Sequence, residues 1–455
     1  MTKNSEKWFC TECGDTFAKW SGQCPSCKEW NTIKEFRETK IRGKKSNKGQ
    51  DLSKKVANSR SSKTTERISA KISEVDRVLG GGFFPGSLVL FGGAPGIGKS
   101  TLSLQIFAEI ENAFYFSGEE SVEQIMSRGQ RLFFKKPKDF EAMKSSIFAT
   151  NSLEDICETI SKNAPSLAVI DSIQMIAGED SRFGTISQIK ESAETLLQIA
   201  KSTGTTILII GHVTKNDELA GPKVLEHIVD VVLRLEGDNN SEIRILRSPK
   251  NRFGSTLEVG VFEMRETGLF ELQNPSEFFL AERAENSSGS AISVVREGSR
   301  NFLMEIQVLT LRTNFGQPRR TASGIPLAKF HLLLAVISKF TPFKCGEYDA
   351  YLSIVGGMKI KEPAADLAIC AAILSSRLEK EIPADTIILG EVGLAGEVRQ
   401  VGHLERRLLE AEKLGFKKAL VPKFRGKVAE QLRQKFKIKT IEIKTVPELI
   451  KILFK

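Results

Sequence analysis

The sequence predicts an α/β protein: a mainly parallel, helix-covered sheet in the middle of the chain, a small cysteine-rich module before it, and a second globular α+β domain after it. Three observations predict this. Short apolar runs of strand type alternate with amphipathic stretches from about Ile68 to Leu272, the pattern of strands joined by helical crossovers. Four of the seven cysteines fall within the first 27 residues. A further stretch with its own apolar runs extends from about Glu285 to Lys455. At 455 residues, 40% hydrophobic and 27% charged, the chain has apolar sequence for at least two cores and about three domains.

The N-terminal element comes first. Cys10, Cys13, Cys24 and Cys27 form two CxxC pairs separated by ten residues. Each pair offers two thiolates from a tight knuckle, and two knuckles complete a tetrahedral set suited to Zn²⁺. Four protein ligands leave no open coordination position, so the site is structural and residues 1–37 read as a zinc ribbon. All three tryptophans, Trp8, Trp20 and Trp30, lie in this stretch and are expected to cover a module too small for a core of its own. Cys157, Cys345 and Cys370 are scattered and read as ordinary buried residues. Residues 38–67 follow with ten Lys/Arg against Glu38, Asp51 and Glu66, a balance of 10 − 3 = +7, and few large apolar residues. They read as a basic flexible linker.

The central domain, 68–275, carries the chemistry. The apolar run Ser87-Leu88-Val89-Leu90-Phe91 leads into Gly92-Gly93-Ala94-Pro95-Gly96-Ile97-Gly98-Lys99-Ser100-Thr101, then a helical stretch through Leu102, Ile106 and Ile110. This is G-x-x-x-x-G-K-[ST] in the strand–loop–helix context the motif requires, and it implies binding of ATP or ADP. The backbone from Gly93 to Thr101 would cradle the phosphates, with Lys99 reaching the β/γ-phosphates and Ser100 on Mg²⁺. Leu167-Ala168-Val169-Ile170-Asp171 is the expected Walker B strand, with Asp171 in the Mg²⁺ shell. Ala113-Phe114-Tyr115-Phe116 ends in Ser117-Gly118-Glu119-Glu120. Two readings of Glu119 stand: it polarises the attacking water, or it favours a helix N-terminus. His212, after the strand Ile207–Ile210, is a weaker γ-phosphate sensor, and the polar stretch Thr214–Glu226 reads as a loop facing nucleotide and a polymer ligand.

Composition sets limits on function. Lys+Arg 66 minus Asp+Glu 56 gives +10, which mildly favours an anionic partner. The opening MTKNSEKWFC has no apolar core of signal-peptide type, and no apolar run reaches about 18 residues. Seven cysteines in such a chain argue against a disulfide framework, and a cytoplasmic protein with no membrane contact is expected.

One more string completes a pattern. Lys250-Asn251-Arg252-Phe253-Gly254 follows the cysteine module and the P-loop, and Ile72–Gly82 opens the ATPase region. In this order the chain closely resembles, over essentially its whole length, the bacterial RadA/Sms family of recombination and repair ATPases. The resemblance implies a RecA-like ATPase that assembles as a homo-hexamer on single-stranded DNA. It further implies branch migration of branched recombination intermediates, with the RecA recombinase as a possible partner. Carried over by position, Lys99, Ser100 and Asp171 serve nucleotide and magnesium, and Glu119 falls at the catalytic glutamate. Lys250 and Arg252 lie in the family's signature, as an arginine-finger device in trans or as DNA contacts.

The last domain, 285–455, resembles the Lon protease domain through Tyr351–Gly357 and Leu389–Val398. Lon-type hydrolysis needs a Ser activated by a Lys. Here the nucleophile segment reads Glu362-Pro363-Ala364-Ala365-Asp366-Leu367-Ala368, with the family's Ser falling at or beside Ala365. Glu405 stands where the Lys is expected, in Gly402-His403-Leu404-Glu405-Arg406-Arg407. The domain therefore reads as a Lon-protease-like scaffold without protease activity. Ser375 is the remote alternative nucleophile. The basic stretch Lys413, Lys417, Lys418, Lys423, Arg425, Lys427 and the segment Arg319-Arg320-Thr321 are candidate phosphate contacts. The competing classes are an ATP-dependent protease or protein-remodelling ATPase, and a binding module in which nucleotide only controls assembly.

Overall fold

In a computed structural model the described residues are 7–10, 16–17, 19–25, 28, 30, 32–36, 66–133, 137–178, 185–211, 224–237, 241–281, 283–284, 287–313, 317–423 and 436–454. The chain divides into two units, residues 1–236, 246–256 and 265–269 in one, and 237–245, 257–264 and 270–455 in the other.

In the first unit, β1 (Lys7–Cys10) pairs antiparallel with β2 (Thr16–Phe17) and β3 (Ile33–Phe36). Cys10 closes β1, and Cys24 is buried with Ile33 beside Trp8 and Phe17. Cys13 and Cys27 lie outside the described residues. Trp8 packs on this core while Trp20 and Trp30 are 58% and 67% exposed, a correction to the expected aromatic cover. So small a core has no room for three indoles.

The central sheet begins at β4 (Leu88–Gly93), buried along its whole length. Its apolar residues have no polar face, as a strand covered by helices on both sides requires. Then come α1 (Lys99–Glu109), β5 (Ala113–Ser117), α2 (Val122–Leu132), β6 (Ile147–Ala149), β7 (Leu167–Asp171), α3 (Ile186–Thr203), β8 (Thr206–Ile210), the short helix α4 (Val224–Ile228) and β9 (Val231–Glu236). Their order across the sheet is β9-β4-β8-β7-β5-β6, every pairing parallel.

Local chemistry sets the helix ends. Ser121 and Gln124 form a reciprocal capping box at the start of α2. Thr185 caps α3, and Gly204, at φ 80°, ends it. Leu88, Leu90, Ile170, Ile207 and Ile209 meet Ile189, Ala193 and Leu196 of α3 in one core, each large side chain contributing about 1.5–3 kcal/mol.

In the second unit, β10 (Ser290–Glu297) and β11 (Arg300–Arg312) form a hairpin. They join β12 (Arg320–Ser323), β13 (Tyr348–Ile354), β14 (Thr386–Ile388), β15 (Lys418–Pro422) and β16 (Lys439–Ile443) in the seven-stranded order β12-β13-β11-β10-β14-β15-β16. The helix α5 (Asp366–Leu378) is buried from Asp366 to Ser375, its alanines letting it lie close to its neighbours. The helix α6 (Leu404–Lys413) buries Leu404, Arg407, Leu408 and Ala411. Among the described residues no helix is long and apolar enough to cross a membrane.

Candidate nucleotide site

All the parallel strands end on one edge, and the register sets what meets there. Ser117 at the end of β5 lies opposite Asp171 at the end of β7, while β4 runs out into the loop that starts α1. Gly93 is needed at the loop's start, because a Cβ there would come within 2.7 Å of the Leu235 carbonyl oxygen on β9. Gly98 takes φ 113° at the cap of α1, a backbone state L side chains rarely adopt. The first bond into the helix ladder runs from Leu102 N–H to Gly98 O. The N–H groups of Gly98 to Thr101 thus belong to the helix end, with its positive dipole.

The Lys99 ammonium is buried and donates to the carbonyl oxygens of Gly93 (2.8 Å) and Ala94 (2.9 Å). Burial lowers its pKa, and the nearby carboxylates of Asp171 and Glu119 oppose that shift. Lysine and both acids therefore share one electrostatic neighbourhood. Asp171 is 7% exposed, and the Tyr115 hydroxyl donates to its Oδ2 at 2.7 Å. Burial, then the adjacent Asp171 charge, pushes the phenol well above its ordinary range, so it keeps its proton. Glu119 is exposed, and the buried Ser172 hydroxyl donates to its Oε1 at 2.6 Å. Glu120 turns away to pair with Arg128.

This donor set fits a magnesium nucleotide. A helix N-terminus and an ammonium face anionic phosphate, and Ser100 and a mostly buried carboxylate offer hard oxygens. Sequence reasoning missed Tyr115 and Ser172. The available signal was a hydroxyl in an otherwise apolar strand run, and another directly after the acid.

Lys250 and Arg252 do not join this group within the chain. They end the strand Ile243–Asn251 and the turn after it. Lys250 Nζ donates to the carbonyl oxygens of Glu226, His227 (3.3 Å) and Val229 (2.7 Å), capping the C-terminus of α4. Arg252 pairs at 3.0 Å with Asp230, whose Oδ2 accepts from Leu88 N–H at 3.2 Å. Leu88 begins β4, so Arg252 sits at the strand end opposite the P-loop, about 17 Å away along the strand. Asn251 donates to Leu79 O, Arg67 donates to Phe253 O, and Phe253 stacks on Phe84 at 4.3 Å. His212 and the stretch 212–223 lie outside the described residues, as do Arg425 and Lys427.

In the second unit Ala364 and Ala365 are buried at the start of α5, where they present no hydroxyl. Ser375 is fully buried; its hydroxyl donates to Lys380 O and accepts from Gly289 N–H. The two protease-like segments meet through a different pair. Arg407 donates to both Glu362 oxygens at 2.7 and 2.6 Å, and also to the carbonyls of Gly402 and Val294. Asp366 meets Lys329 at 2.6 Å, and burial lifts its pKa to about 6 against the opposing pull of that lysine.

Comparison with known proteins follows the same division. A family model described as an AAA domain matches residues 56–218, one described as a rubredoxin metal binding domain matches 8–35, and one described as subunit ChlI of Mg-chelatase matches 356–424. Among solved structures, that of the RadB recombinase is 23% identical and covers 45% of this chain and 100% of its own, with TM-score 0.37. DNA repair protein RadA of Listeria monocytogenes is 44% identical over 92% of this chain and 93% of its own. That of Bacillus subtilis is 45% identical over 93% of each. At this identity along nearly the whole length, the chain belongs to the RadA family.

Proposed function

We propose that the protein is a DNA-dependent ATPase of homologous recombination and DNA repair that drives branch migration of recombination intermediates on single-stranded DNA. The observation that carries this is the meeting of Lys99, Asp171 and Glu119 at one sheet edge in a chain whose relatives are DNA repair proteins.

Each residue has a task. Gly93 to Thr101 hold the phosphates of ATP or ADP by backbone N–H groups, and the Lys99 ammonium leaves its carbonyl partners for phosphate oxygens. Ser100 and Asp171 would hold Mg²⁺, which when bound neutralises charge on the β/γ-phosphate oxygens. Glu119 orients and deprotonates the attacking water, its carboxylate kept in place by Ser172. Lys250 and Arg252, at the far end of β4, act on a neighbouring subunit's nucleotide or on DNA, in keeping with a homo-hexameric ring. Cys10, Cys13, Cys24 and Cys27 hold a structural Zn²⁺.

The domains follow as zinc ribbon 1–37, linker 38–67, ATPase 68–275 and scaffold 285–455. The buried alanines at 364 and 365 support a scaffold without protease activity. The assignment also places the protein in the cytoplasm, with the RecA recombinase as a partner. The test is displacement of a labelled strand from a three-strand DNA intermediate. The protein with ATP should extend the heteroduplex, and Lys99→Ala should not. An equal rate for Lys99→Ala would overturn the proposal.

A further inference from the structure

We infer that Tyr115 is a positioning residue for the magnesium-holding carboxylate. The inference rests on the reading of Asp171 given above. Tyr115 lies between Phe114 and Phe116 on β5 and is the one of these three aromatic residues that carries a hydroxyl, where a phenylalanine would satisfy packing and strand propensity equally well. Its ring is 1% exposed and stands edge-on to Phe107 of the P-loop helix, centroids 5.7 Å apart at 72°. The ring is thus fixed by the helix that starts at Lys99, and its hydroxyl has one direction to point. That direction is Asp171 Oδ2, at 2.7 Å.

A carboxylate has two oxygens and about four lone-pair positions. The phenol occupies one of them and fixes the rotation of the group, leaving Oδ1 and the remaining lone pairs of Oδ2 directed away from the ring. An aspartate held this way is already oriented for a cation. Without the hydroxyl the same carboxylate has a buried oxygen short of a donor and a free χ2, and both penalise the metal-holding geometry. Groups that orient a metal-binding carboxylate typically change metal affinity by 10–100-fold when removed. They leave alone whatever binds without the metal.

This separates the role from mere packing. Full-length wild type, Tyr115→Phe and Asp171→Asn are titrated with a fluorescent ADP derivative, first without magnesium and then at rising Mg²⁺. For Tyr115→Phe the Mg²⁺ concentration giving half-maximal tightening should rise on the order of tenfold. Its magnesium-free affinity should stay within about twofold of wild type, which also reports an intact fold. Protein carrying 3-fluorotyrosine at position 115, which keeps the hydroxyl, should match wild type. If Asp171→Asn leaves the Mg²⁺ dependence unchanged, the reading of Asp171 falls and the role of Tyr115 falls with it. If Asp171→Asn shifts it and Tyr115→Phe does not, the positioning role alone is overturned. Equal weakening with and without Mg²⁺ in Tyr115→Phe would make the residue structural and overturn it as well.

Discussion

Replacing Arg407 by methionine removes the ion pair that joins the two protease-like segments while keeping much of the side-chain volume. Arg407 is 2% exposed at its side chain and Glu362 is 23%. Four acceptors lose a donor: both Glu362 oxygens, Gly402 O and Val294 O. Breaking one side of a buried pair costs about 3–5 kcal/mol, because a charge stays behind in a low dielectric. Here Glu362 keeps the Arg296 N–H and some water, so the lower end applies, about 3 kcal/mol. Removing the stranded charge as well, in Arg407→Met with Glu362→Gln, should recover about half of that or more, since well-packed neutral pairs replace buried ion pairs at little cost. Amide hydrogen exchange read on residues 290–312 and 404–413 of the full chain measures this locally. The three tryptophans all lie before residue 31 and would report another part of the molecule. A single-variant loss below about 1 kcal/mol, or a double variant no better than the single, would mean that the Arg407–Glu362 pair does not hold these segments together.

Further outcomes follow from other residues. Asp366 binds its proton more tightly folded (about 6) than unfolded (near 3.8), so its contribution is full below pH 3.8 and is lost as pH rises towards 6. Asp366→Asn should remove a fall on the order of 1–3 kcal/mol across that window, read as the difference between wild-type and variant denaturation curves. Gly129→Ala drives a methyl into the Phe140 ring, which stacks on Phe133, and should cost about 1–3 kcal/mol in urea unfolding. Lys250→Ala strips three carbonyls at the end of α4 of their donor and should speed amide exchange at 224–230 by about tenfold, a loss near 1.4 kcal/mol. Unchanged exchange there would mean that the lysine is not anchoring the helix.

Much of the nucleotide site was legible because its signals are local. The P-loop string fixes a strand, a turn and a helix within about 25 residues, and Asp171 and Glu119 follow strands whose apolar runs are unambiguous. What sequence could not show depends on register between distant segments. Tyr115 reaches Asp171 only because β5 and β7 are parallel neighbours with Tyr115 opposite Val169. Arg252 reaches Asp230 only because the turn after the strand Ile243–Asn251 folds back beside the start of β4. Arg407 reads as a surface charge in an amphipathic helix, yet it is nearly sealed, because its partner lies 45 residues earlier. Basic residues in a solvated helix and in a buried ion pair look alike until the packing is known. The resemblance to the RadA/Sms family was carried by the order of three short motifs, and the relatives' identity along the chain bears it out.

We expect the Lys99 site to hydrolyse ATP in response to DNA. Steady-state ATP turnover of the full-length protein, with and without single-stranded DNA at low and moderate salt, tests it most directly, with Lys99→Ala alongside. Contacts made mainly to phosphate would give strong stimulation that weakens as salt rises, and Lys99→Ala should lose turnover. Turnover indifferent to DNA, or intact in Lys99→Ala, would contradict it.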